Sequence, residues 1–168
     1  MEECNRTVES YLYNCRNNYL TIVGKKTCQS SEKIANLIIA VAALGIGPND
    51  LVNDLKTFGF LFETLCIRDL RVFADALNGE VYHYRDKDGL ECDAVVHLRN
   101  GKYGLIEIKL GGDKLIEEGA KSLRSMQDKI DTDKMNVPSF LMVLTGTGDY
   151  AYRRQDGVFV IPIGCLKV

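Results

Sequence analysis

The sequence predicts an α/β fold, a mixed β-sheet flanked by helices, and three observations predict it. Apolar residues recur every third or fourth position before residue 78, alternate from 80 to 110, and then return to helical spacing. Glycine-containing turns, "DKDG" and "RNG", separate the alternating segments. At 168 residues, with 46% apolar and 26% charged side chains, the chain is long enough for one packed core of ordinary globular make-up.

The elements follow in order. Val8, Leu12, Cys15 and Tyr19 predict an amphipathic helix over 6–20, and residues 1–30 read as a helical lead-in to a domain over 31–168. Ser31 is placed to cap a second helix, Glu32 to Leu44, with Gly45 as its stop and "GPND" as the turn after it. That helix holds the longest apolar run, "IANLIIAVAALGIG", which is too short for a membrane span, so a core helix and no membrane partner are expected. A third helix runs from about Thr57 to Leu77 on the stripe Phe58, Phe62, Cys66, Leu70, Phe73 and Leu77, and "NG" at 78–79 ends it. Glu63 lies about 100° round from Phe62, at the border of that stripe.

Three strands come next: "EVYHYR", "LECDAVVHL" and "KYGLIEIKL". Asp113 is expected to cap a helix with the apolar set Leu115, Leu123, Met126 and Ile130. "PSFLMVLTG" reads as a buried strand, and "YAYRRQDGVFVIPIGCL" as a hairpin about Asp156-Gly157.

The turn after Leu98 decides what the charges in the second and third strands do. A two-residue Asn100-Gly101 loop mixes Glu107 and Lys109 into a buried face. A three-residue loop, Arg99-Asn100-Gly101 with a left-handed glycine, instead puts Cys92, Ala94, Val96 and Leu98 on one apolar face with Ile106, Ile108 and Leu110. Burial selects the three-residue loop. It sets Asp93 opposite Glu107 and Glu91 opposite Lys109.

Two facing carboxylates repel unless something positive lies between them. A hard divalent cation removes the repulsion, so Asp93, Glu107 and the backbone carbonyl of Ile108 are candidate ligands for Mg²⁺, with Mn²⁺ as its substitute. Lys109, two residues after Glu107, shares its face and can steady an attacking water or a phosphate. The competing reading is a half-solvated sheet face on which Lys109 pairs with Glu91.

The D-x13-E-x-K pattern formed by Asp93, Glu107 and Lys109 resembles the PD-(D/E)XK signature of the restriction-endonuclease-like superfamily. "KTFGFLFETLCIRDLRVFA", "YHYRDKDGLECDAVV", "YGLIEIKLGG" and "DGVFVIPIGCL" look like the C-terminal domain, of unsettled function, that follows the ATPase module in many prokaryotic AAA-type ATPases. The resemblance implies a restriction-endonuclease-like αβββαβ core. It implies Asp93 and Glu107 as metal ligands, Lys109 as the catalytic lysine and Glu63 as an auxiliary acid. DNA is the implied substrate, and an ATPase module or other protein the implied partner. The nearest phosphate-loop mimic, "YLTIVGKKT", has Tyr19 where the first glycine belongs and Lys26 where Ser or Thr belongs, so no ATP site is expected.

Other features are bland. A net charge of -2 and a pI of about 5.7 exclude a global basic signature, so nucleic acid would need a local patch. Six irregularly spaced cysteines without a C-x-x-C pair or a signal peptide ahead of them point to a reduced, cytoplasmic chain. Cys66 and Cys92 read as core thiols, His83 and His97 as sheet residues, and Tyr82, Tyr84, Tyr150 and Tyr152 as packing. Gln127, the Lys114–Lys121–Arg124 side of its helix and the Arg153-Arg154 pair read as solvated surface. No G-x-S-x-G or activated cysteine supports nucleophilic catalysis.

Overall fold

The computed structural model describes Gly45 and residues 48–87 and 89–166. The helices expected over 6–20 and 32–44, and the lead-in over 1–30, lie outside the described residues. "GPND" is not a plain turn: Pro48 opens a short helix, α1 (Pro48–Asn53), as a residue with fixed φ and no N–H can at a first helical position.

The long helix α2 (Leu55–Ala76) starts two residues earlier than its apolar stripe predicts because Asp54 caps it. The Asp54 carboxylate accepts the Thr57 N–H at 3.1 Å and the Thr57 hydroxyl at 2.6 Å, satisfying an amide that the helix leaves open. Asn78, left-handed at φ 55°, follows its end as the "NG" pair predicts. Phe62, Cys66, Leu70 and Ala74 carry the buried stripe, while Phe58, Phe73 and Leu77 are half-buried.

Then follow β1 (Gly79–Arg85), β2 (Glu91–Leu98), β3 (Tyr103–Lys109), α3 (Asp113–Asp128), β4 (Phe140–Thr145), β5 (Tyr152–Arg153) and β6 (Phe159–Pro162). They form one six-stranded mixed sheet in the order β1-β2-β3-β4-β6-β5. The first three strands pair antiparallel, β3 with β4 and β4 with β6 are parallel, and β5–β6 is the expected antiparallel hairpin. A parallel neighbour needs a crossover, and α3 supplies it between β3 and β4.

Alternation along β3 divides the core. Tyr103 and Leu105 pack with Ile116, Ala120, Leu123 and Met126 of α3. Ile106 and Ile108 pack on the opposite face with Phe62, Cys66 and Leu70 of α2. The helix after β3 departs from its predicted form in two ways. Gly112, not Asp113, is its cap residue, and no side chain caps the end. Ile116 takes the buried place expected of Leu115, which is 38% exposed.

The tyrosines are also corrected: Tyr82, Tyr84 and Tyr150 are exposed, and only Tyr152 packs against the core. The physical reason for the first two is that β1 is an edge strand on which Val81 packs against the α2-side core, so period-two alternation turns Tyr82 and Tyr84 to the other face. Cys66 and Cys92 are fully buried free thiols, as read. Among the described residues, no helix is long and apolar enough to cross a membrane.

Candidate functional site

The hairpin register is the predicted one. Ala94 faces Ile106, Val95 faces Leu105, Val96 faces Gly104 and His97 faces Tyr103. The Leu98 N–H donates to Lys102 O at 2.8 Å, and Gly101 sits at φ 82°, closing the three-residue loop.

The ladder between β2 and β3 ends at Ala94 and Ile106, whereas β3 continues to Lys109 with β4 alone beside it. A β-bulge accompanies the split. Tyr82 faces Val95 and Tyr84 faces Cys92, so two residues of β2, Asp93 and Ala94, stand against the single His83 of β1. The bulge overturns one expectation: Cys92 does not share the face of Ala94. Cys92 packs with the α3-side cluster and Ala94 with the α2-side cluster, because one extra residue reverses the alternation.

Where the strands part, side chains replace the ladder. The Ile108 N–H, left without a β2 carbonyl, donates to Asp93 Oδ2 at 2.7 Å. Ile108 C=O points to the same side as its N–H, as in any strand residue, and so toward the mouth of the split. Lys109 Nζ sits 2.6 Å from Glu107 Oε2 and 3.6 Å from Asp93 Oδ2. Glu91, which the competing reading pairs with Lys109, instead meets His83 Nε2 at 2.8 Å.

Glu107 is only 4% exposed, which rules out the half-solvated face as an account of it. Burial first, and then the Asp93 charge, raise its pKa against the opposing pull of Lys109 and Ser122. Burial lowers the pKa of Lys109, but its bonds to Glu107 and Asp93 outweigh this and leave it raised. Glu63, half-buried on α2, is raised by burial and then by Asp93, and held back by Lys109. Three carboxylates thus act electrostatically on one ammonium.

Two residues on α3 were not foreseen in the sequence. The Ser122 hydroxyl donates toward Glu107 Oε1 at 3.3 Å and toward Glu91 O at 3.4 Å. A Cβ on Gly119 would lie 3.5 Å from both Glu107 Cβ and Lys109 Cε, so its bare backbone lets α3 pass closely over the ion pair. Helical spacing from Gly119 to Ser122 puts both on one face, but nothing local marks that face as facing Glu107. Gln127 is half-buried, Arg154 is bound to Glu117 and Asp156, and Arg153 lies over Phe159.

Glu63 and Lys109 also line a shallow groove between the start of α2 and the end of β3, with Leu55, Phe60 and Leu115 exposed along it. Among the described residues, no three His, Cys, Asp or Glu side chains converge tightly as a ready-made metal site. The donor chemistry nevertheless fits a hard cation: Asp93, Glu107 and the Ile108 carbonyl offer oxygen only, and Glu63 adds negative charge from across the groove. The Cys92 thiol, pushed up to about 12 by burial, offers no competing soft ligand.

No curated protein and no solved structure matches the chain. Residues 58–166, which contain Glu63, Asp93, Glu107 and Lys109, match a family described only as a domain of unknown function (DUF4143). The match spans well over half of the sequence, and the chain belongs to this family.

Proposed function

We propose that this domain is a PD-(D/E)XK nuclease-like unit that hydrolyses DNA phosphodiesters with Mg²⁺ or Mn²⁺. The carrying observation is the convergence of Asp93, Glu107 and Lys109 where β2 and β3 part, with Glu107 buried. A protein rarely buries a carboxylate beside another carboxylate for stability alone, since the loss of hydration exceeds what one ammonium returns. The order α2, β1, β2, β3, α3, β4 supports a restriction-endonuclease-like core of αβββαβ type.

Asp93, Glu107 and the Ile108 carbonyl would hold the cation. When bound, it supplies Lewis-acid polarisation of the phosphate and a more acidic water. Lys109 presents its ammonium to the charge that develops on the phosphate oxygens. Glu63, with its raised pKa, sits across the groove where it can accept a proton from the attacking water. Ser122 holds the Glu107 carboxylate in place from behind.

Purified protein with MgCl₂ should cleave DNA, and Asp93→Ala or Lys109→Ala should lower cleavage at least about a hundredfold while circular dichroism stays native. Asp93→Asn, which keeps an acceptor for the Ile108 N–H, guards against simple unfolding. Unchanged cleavage in purified Asp93→Ala protein assigns the activity elsewhere.

A second reading is supported by the exposed Leu55, Phe60 and Leu115 along the groove and by the acidic pI. Here the fold serves as a non-enzymatic module that docks a partner, such as an ATPase module, on an apolar patch. It expects no cleavage of any DNA form, and loss of partner binding in Phe60→Asp.

A further inference from the structure

Lys109 Nζ lies 2.6 Å from Glu107 Oε2 and 3.6 Å from Asp93 Oδ2, so it occupies the place of a cation that joins these two carboxylates through those oxygens. An ammonium and a divalent ion cannot share that clasp. At about 4 Å even two unit charges repel appreciably outside bulk water, and a second charge on the ion doubles the effect. The lysine has somewhere else to go. Its side chain borders the groove that Glu63 lines from the opposite wall, and Gly119 presents no side chain to Cε, where even a Cβ would come within 3.5 Å.

We propose that Lys109 has two seats, one clasped by Asp93 and Glu107 and one swung into the groove beside Glu63, and that a divalent cation exchanges places with it. The inference rests on the metal reading of the site given above and adds its order of events. Uptake of the cation delivers the ammonium to the groove where a phosphate would lie, and loss of the cation returns it to the carboxylates. The lysine is therefore both the internal competitor of the cation and the group that its arrival deploys.

Titration of MgCl₂ and MnCl₂ into the full chain by calorimetry tests this without any turnover. Lys109→Met removes the competitor and should bind either ion roughly tenfold more tightly than the unsubstituted chain. Lys109→Arg, which keeps the charge and grips carboxylates with a fork, should bind several-fold more weakly than the unsubstituted chain, and guards against a misfolded methionine variant. Glu63→Gln should weaken binding more in the unsubstituted chain, where it also removes the second seat, than in Lys109→Met, where only its negative charge is lost. If the chain binds metal and Lys109→Met binds it equally or more weakly, the exchange is overturned while the metal reading stands. If Glu63→Gln weakens both backgrounds alike, Glu63 is a ligand and the second seat is overturned. If no protein of the set binds either ion, the metal reading fails and takes the exchange with it.

Discussion

Two clusters in this domain each set one basic side chain against two carboxylates, and they behave oppositely. Arg154 Nη2 lies 2.6 Å from Glu117 and 3.0 Å from Asp156, tying the β5–β6 turn to α3. Lys109 lies between Glu107 and Asp93 at the parting of β2 and β3. At the first, burial raises the pKa of Asp156, but the Arg154 and Val158 N–H groups outweigh it and leave the carboxyl below its ordinary value. At the second, burial wins and Glu107 is raised.

The charge ratio is the same, so the difference lies in water and in donors. Asp156 accepts Arg154 Nε on both oxygens and the Val158 N–H besides, and Glu117 is 66% exposed, so the arginine cluster is satisfied. Glu107 has one ammonium, one long hydroxyl contact and almost no solvent, and Asp93 adds charge of the same sign. The arginine cluster is a fastening. In the lysine cluster the fold holds a buried carboxylate beside a second one, with a single ammonium against both.

That contrast can be broken by substitution. Lys109→Met, in EDTA, should cost about 3 kcal/mol in urea denaturation, because it strands Glu107 beside Asp93 with no opposing charge. Gly119→Val should come next, at about 1–3 kcal/mol, since a branched side chain must push α3 away from Val143, Glu107 and Lys109. Arg154→Met should cost only about 0.5–1 kcal/mol, because its partners fall back on water. A Lys109→Met cost no larger than that of Arg154→Met would erase the distinction between the clusters.

The pH dependence sharpens it further, with opposite signs. Asp156 binds its proton less readily in the folded chain than in the unfolded one. Its contribution to stability is present above its unfolded pKa near 3.8 and is lost as pH falls through the lowered folded value. Glu107 binds its proton more readily when folded, so stability falls as pH rises from its ordinary 4.5 through the raised folded value. In EDTA, Asp156→Asn should flatten the acid limb of a stability profile, and Glu107→Gln the descending limb above it. Identical profiles for the two variants would contradict the assignment.

Much of this was legible in the sequence because burial enforces period and period enforces register. Only one loop length at Arg99-Asn100-Gly101 kept Ala94, Val96, Ile106 and Ile108 on a common apolar face, and the structure pairs Ala94 with Ile106 and packs all four in one cluster. The extra residue at Asp93-Ala94 was not legible. A bulge obeys the alternation on either side of it and announces itself only when the neighbouring strand is aligned. The cap of α3 escaped for a similar reason: Asp113 is a good capping residue, but Gly112 at φ 89° already makes the turn, so the acid falls inside the first turn. Ser122 and Gly119 meet Glu107 through the crossover, a contact between elements that no local pattern records.

Ile108 carries a consequence of its own. Its amide proton is guarded by a carboxylate side chain instead of a strand carbonyl, at 2.7 Å. Its hydrogen-exchange rate and proton chemical shift therefore report where the Asp93 side chain is, residue by residue, in solution. A single resonance serves as a built-in gauge of whatever Asp93 grips next.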